Sequence, residues 1–96
     1  MPALHIIASA PDVGAALQNC LRVAAPDDAI VLIGNGVYCA ATESFRRVAD
    51  RSLGRRWYAL AADVARRGIR VGSVVEVDDA TFVDLVAGHQ PIVSWG

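Results

Sequence analysis

Two cysteines, Cys20 and Cys39, are the residues of this chain best suited to covalent chemistry, because a thiolate is both a strong nucleophile and a soft ligand. They stand 19 residues apart, in neither a CxxC nor a zinc-knuckle spacing, so free thiols are expected, as in a reducing compartment. Each has two readings. Cys39 is expected in the first turn of a helix beginning near Val37, where the macrodipole favours a thiolate and lowers the thiol pKa. Its small neighbours Ala40 and Ala41 suit a packed, inert cysteine equally well. Cys20 continues the apolar stripe Val13, Leu17, Cys20, Leu21 and Ala24 at helical spacing and lies nearer its helix's C-terminal end, which suits packing. Local physics therefore makes Cys39 the more acidic thiol.

Other chemistry-bearing types form weaker constellations. His5 falls in an apolar strand and His89 near a helix end, so neither makes a base-nucleophile pair with a cysteine in sequence. The turn Gly34-Asn35-Gly36 is too short for a phosphate loop or a GxGxxG fingerprint and reads as a tight strand-to-helix connection. Asp78 and Asp79 are adjacent and point in different directions, as a turn and helix cap rather than an acid-base dyad. No cofactor or metal site is expected. Eight of the nine arginines lie between Arg46 and Arg70. With Glu43, Asp50 and Asp63 interspersed, the stretch reads as a solvated face more readily than as a nucleic-acid surface.

The elements that must position these residues alternate in type. Leu4 to Ala8 forms a buried first strand, and a helix capped by Asp12 runs from Val13 until Pro26-Asp27-Asp28 ends it. Ala29 to Ile33 is a continuous apolar run suited to a central parallel strand covered on both faces. Ala41 to Arg56 reads as a helix followed by a loop broken at Gly54. Arg56 to Leu60 makes a third strand, Asp63 to Arg67 a short helix stopped by Gly68, and Ser73 to Val77 a fourth strand. Asp79 caps a helix running to about His89, and Pro91 to Trp95 supplies the last strand. The expectation is an α/β fold: one domain over residues 1–96, an open, mostly parallel five-stranded sheet flanked by helices. Ligands on such sheets sit beyond the carboxyl ends of the strands.

Composition narrows the class of function. A 96-residue chain has room for one core, yet 54% of its residues are apolar, which predicts apolar surface covered by another subunit. A net charge of -1 gives no overall field toward nucleic acid or a membrane. No apolar run approaches the roughly 20 residues that span a bilayer, and the N-terminus has no signal-peptide pattern, so a cytoplasmic protein is expected.

Taken in order, these segments resemble the DsrH/TusB family, the small subunits of the DsrEFH and TusBCD sulfur-relay complexes. The resemblance runs through Leu4-His5 with Ser9 to Pro11, Gly36-Val37-Tyr38, Tyr58-Ala59-Leu60 before Asp63, Ala65 to Gly68, Phe82 to Val86, and the terminal Ser94-Trp95. It implies a DsrE-like fold and a heterohexamer with DsrE/TusD-like and DsrF/TusC-like sister subunits, acting on a DsrC/TusE-like sulfur acceptor through the complex. The chain would then be an accessory subunit in persulfide transfer, for sulfur oxidation or tRNA 2-thiouridine synthesis. DsrH-type members resemble it in carrying a cysteine at the position of Cys20, which makes Cys20 the candidate persulfide carrier and Cys39 the weaker one. Asn35 departs from the acidic residue usual before that glycine. Alternatives are a purely structural interaction subunit, a free-standing ligand-binding α/β domain, and a homo-oligomer of the isolated chain.

Overall fold

The strand-helix alternation produces an all-parallel sheet. The structure, a computed structural model, describes residues 1–51 and 55–96. Strands β1 (Leu4–Ile7), β2 (Ala29–Leu32), β3 (Arg56–Leu60), β4 (Val75–Val77) and β5 (Ile92–Ser94) lie in the order β4-β3-β2-β1-β5. Every neighbouring pair is parallel. Helices α1 (Ala16–Val23), α2 (Glu43–Arg51), α3 (Ala61–Arg67) and α4 (Asp79–Ala87), with a 3₁₀ segment over Gly34–Ala41, make the connections.

Topology decides which face each helix covers. The three steps from β1 to β4 all move one way across the sheet, and right-handed crossovers place their helices on one face. The step from β4 back to β5 passes over three strands in the opposite sense, so α4 falls on the other face. Packing agrees. Leu17 and Cys20 of α1, Val37 and Cys39 of the 3₁₀ segment, Phe45 of α2 and Val64 of α3 share one core with Ile7, Ile30, Leu32, Trp57 and Ala59. Leu4, Ala29 and Val31 make a second, smaller core with Ile6, Ile33, Tyr58 and, from α4, Phe82 and Leu85. Central β2 is buried along its whole length, which its unbroken Ala29-Ile30-Val31-Leu32 run predicts.

Several boundaries differ from the sequence expectation for local reasons. Helix α1 begins at Ala16, and Asp12 does not cap it, because Gly14 takes a φ of 72° that a right-handed helix cannot include. The helix expected from Val37 is the 3₁₀ segment, and α2 starts only at Glu43, after Thr42 accepts the Phe45 N–H at 3.2 Å as an N-cap. Gly36 accounts for the tight winding: a Cβ there would lie 2.1 Å from the Ile7 carbonyl oxygen, so only glycine lets the segment sit down on the end of β1. Helix α4 is capped by Asp78, whose side chain accepts the Thr81 N–H at 2.8 Å, one residue before the expected Asp79. Gly68 ends α3 in the left-handed conformation, as expected. The expected break at Gly54 lies outside the described residues.

Candidate functional site

The carboxyl ends of the strands, where a ligand is expected, are tied together by side chains from α3. Asp63 Oδ2 accepts the Gly34 N–H at 2.7 Å, which fixes the turn leaving β2. Arg67 donates two hydrogen bonds, from Nε at 3.1 Å and Nη2 at 2.9 Å, to Asn35 Oδ1, and its guanidinium lies over the Tyr38 ring. The N–H groups of Gly34 and Gly36, the latter on the Ile33 carbonyl, are therefore already engaged, and this turn acts as a structural connection. Part of the arginine-rich stretch is likewise spent on local ties, since Arg47 meets Glu43, and Arg66 and Arg67 meet Asp63.

Cys39 reaches this end of the sheet. Its thiol is buried and points its S–H at the Ser9 carbonyl at 3.8 Å, just beyond β1. It also lines a cavity of about 180 Å³ with Ser9, Pro11, Leu17, Leu21 and Phe45. The thiol is not acidified, contrary to the expectation from a helix first turn. Cys39 lies late in a 3₁₀ segment rather than at an α-helix N-terminus, and burial pushes its pKa up.

Cys20 has no exposed surface, lies in α1, and is not among the residues lining that cavity. Burial pushes its thiol up to about 11; the Arg55 guanidinium opposes this in part, and the Asp28 carboxylate adds to it. In this conformation Cys20 is a core residue, and sequence reasoning correctly placed it on the apolar stripe of α1. Both cysteines are free thiols.

The polar group that sequence reasoning missed stands at the opposite, amino-terminal edge. Asp28, read as a helix stop, accepts three donors: the Ala3 N–H at 2.9 Å on Oδ1, and the Ala25 N–H at 2.9 Å and His5 Nε2 at 2.8 Å on Oδ2. Trp95 Nε1 donates to His5 Nδ1 at 3.0 Å, so Nδ1 is unprotonated and Nε2 carries the hydrogen given to Asp28. Burial alone would raise the Asp28 pKa, but the bonds from His5, Ala3 and Ala25 outweigh it and hold the carboxyl down at about 2. The network joins β1, the loop before β2 and the segment after β5. Its partners lie up to 90 residues apart, and no local pattern signals them. It is a structural clasp with both partners buried, and it places no base beside either thiol.

Among the described residues, no three His, Cys, Asp or Glu side chains converge to hold a metal ion, and no helix is long and apolar enough to cross a membrane.

Known proteins resemble this architecture closely. The chain superposes on the ychN protein from E. coli with a TM-score of 0.74, over 98% of this chain and 99% of that one, at 13% identity. It matches protein Tm0979 from Thermotoga maritima with a TM-score of 0.64 over 90% of this chain and 92% of that one, at 29% identity. No protein in the curated set matches it in sequence. The family model described as DsrH like protein matches residues 10–92, the span that holds both cysteines, the whole of strands β2, β3 and β4 and the Gly34 to Gly36 turn. The chain belongs to the DsrH-like family.

Proposed function

We propose that this chain is the DsrH-type subunit of a heteromeric sulfur-relay assembly and joins DsrE-like and DsrF-like subunits through the α4 face of its sheet. The uneven cladding of the sheet carries this reading. Five strands at about 4.8 Å spacing present a face roughly 20 Å or more across, and one helix covers only about 10 Å of it. The register aligns Ile92 with Leu4 and Ala29, and Ile6 with Val31, Tyr58 and Val75, as two apolar runs on that face, bordered at their other ends by Arg56 and Ser94 respectively. Their ends are open: Val75 is 55% exposed and Ile92 39%. Helix α4 has no buried residue, and its Val83 is 62% exposed. Exposed apolar side chains on α4 and at both edges of the sheet are characteristic of a face that another protein covers. Co-expression with DsrE-like and DsrF-like proteins followed by native mass spectrometry tests the assignment. A stoichiometric complex is expected, and a chain that stays alone with both partners present refutes it.

Within that assembly Cys20 is the sulfur carrier of this subunit, a role supported by its match to the family cysteine and by the Arg55 guanidinium, which favours an anion there. The Cys20 thiolate attacks the outer sulfur of a donor persulfide, the donor S–S bond breaks, and its electron pair leaves on the donor thiolate. Cys20 then holds the extra sulfur as a persulfide. The burial of Cys20 requires α1 to shift before this exchange occurs. One added sulfur on Cys20, absent from Cys20→Ser, is the expected mass after incubation of the complex with a persulfide donor. An unmodified Cys20 across several donors removes this role and leaves the interaction subunit.

A further inference from the structure

Strand β4 is short, and its pairing with β3 begins only at Tyr58 opposite Val75. Among the described residues, the amino end of β3 has no paired strand on that side. An open cavity of about 230 Å³ occupies the edge, lined by Arg55, Arg56, Trp57, Tyr58, Ser73 and Val75. That is several times the roughly 30 Å³ share of a water molecule.

The donors on these walls are not matched by acceptors. Arg55 Nη1 donates to the carbonyls of Ala25 at 3.0 Å and Asp28 at 3.2 Å, and Arg56 Nη2 donates to the Asp27 carbonyl at 3.0 Å. Neither guanidinium pairs with a carboxylate among the described residues. Arg55 Nε is buried with no acceptor. Trp57 is more than nine-tenths buried, packs edge-on against Phe45, and its indole Nε1 also lacks an acceptor. Buried N–H groups without partners are rare, and each costs a desolvation penalty that an acceptor removes. The residues that line this one cavity carry two such donors, two guanidiniums and the Ser73 hydroxyl, a set of groups that complements a ligand with several acceptor oxygens and negative charge.

We infer that this edge cavity is a binding site for a small oxyanion of the sulfate or phosphate class, held by Arg55, Arg56, Trp57 and Ser73. Neither thiol lines the site, which shares Arg55 with the surroundings of Cys20, and the inference does not depend on the sulfur-relay reading.

The chain contains two tryptophans, which give the test an internal control. Nitrogen-proton correlation spectra resolve each indole N–H, and the Trp95 group is already bonded to His5. Titration with sodium sulfate, against sodium chloride at equal ionic strength, is expected to move the Trp57 indole signal along a saturating curve and leave Trp95 in place. Arg56→Gln, at an exposed side chain, is expected to weaken the apparent affinity severalfold. The double variant Arg55→Gln/Arg56→Gln is expected to weaken it by about tenfold or more. Because Arg55 also holds the loop before β2, Arg56→Gln alone decides the matter if the double variant unfolds. A Trp57 signal that moves no more in sulfate than in chloride, that moves together with Trp95, or that responds unchanged in Arg56→Gln overturns the proposal.

Discussion

Replacing Asp28 with asparagine tests how the amino-terminal edge is held. The carboxylate receives three N–H groups on two oxygens and donates nothing. Asparagine keeps the shape but has one oxygen. In its better orientation that oxygen serves His5 and Ala25 while its NH₂ faces the Ala3 N–H, donor against donor. Losing one bond to a charged acceptor and stranding a buried donor costs about 2–3 kcal/mol. The titration of Asp28 gives an independent figure. A carboxyl held at about 2 in the fold, against 3.8 for the free group, contributes about 2 kcal/mol when ionised. Because the folded-state pKa is the lower one, this contribution is complete above about pH 5 and disappears as the pH falls through about 4 toward 2. Urea unfolding of wild type and Asp28→Asn, followed by tryptophan fluorescence at a series of pH values, should show a gap of about 2–3 kcal/mol near neutrality that narrows across that window. A gap below about 0.5 kcal/mol, or one that stays constant down to pH 2, refutes the clasp.

Further outcomes follow from the same contacts. Gly36→Ala sets a methyl carbon against the Ile7 carbonyl and should cost about 3 kcal/mol or more, at or beyond the upper end of ordinary overpacking, read as a lowered urea midpoint. In the folded chain iodoacetamide should modify Cys39, which lines the cavity beside Ser9 and Phe45, before Cys20. Burial pushes both thiols up, Cys20 to about 11, so access through the cavity sets the order, which peptide-resolved mass spectrometry reads directly. Equal rates, or faster reaction at Cys20, contradict the burial described for α1.

How much of this was legible depended on the range of the interaction. Strand β3 was readable to the residue because Arg56-Trp57-Tyr58-Ala59-Leu60 carries strand-forming residues in a compact run, and Gly68 marked the end of α3 through its own backbone freedom. The start of α1 was misplaced because Asp12 has the chemistry of a cap, while Gly14 two residues later breaks the helix it would begin. The 3₁₀ winding of Gly34–Ala41 follows from a contact between Gly36 and Ile7, 29 residues away, which no local pattern contains. With it went the predicted acidity of Cys39, since that rested on an α-helix N-terminus. Asp28 looked like turn punctuation for the same reason: its partners are Ala3 and His5 on another strand. The family pattern located Cys20, but only packing shows the thiol closed off.

The topology also separates docking from chemistry on the proposed function. Cys20 lies in α1, on the face clad by three connections, whereas Val83, Val75 and Ile92 lie on the face clad by α4 alone. A partner seated on α4 therefore does not touch Cys20, and the donor must approach through the α1 layer. Within that layer the thiols diverge: Cys39 faces the carboxyl end of β1, while Cys20 senses Asp28 and Arg55 at the amino-terminal edge. A subunit built this way can stay bound in an assembly while its thiol exchanges sulfur elsewhere. Val83→Asp separates the two. An exposed site tolerates the change within about 0.5 kcal/mol of folding stability, but a charge in an apolar contact should abolish the complex in native mass spectrometry. Sulfur loading of Cys20 from a small persulfide donor, measured after mild urea loosens α1, should be unchanged in the same variant. If Val83→Asp leaves the complex intact, the partner sits on another surface; if it alters Cys20 loading, the two faces are coupled and the separation argued from topology fails.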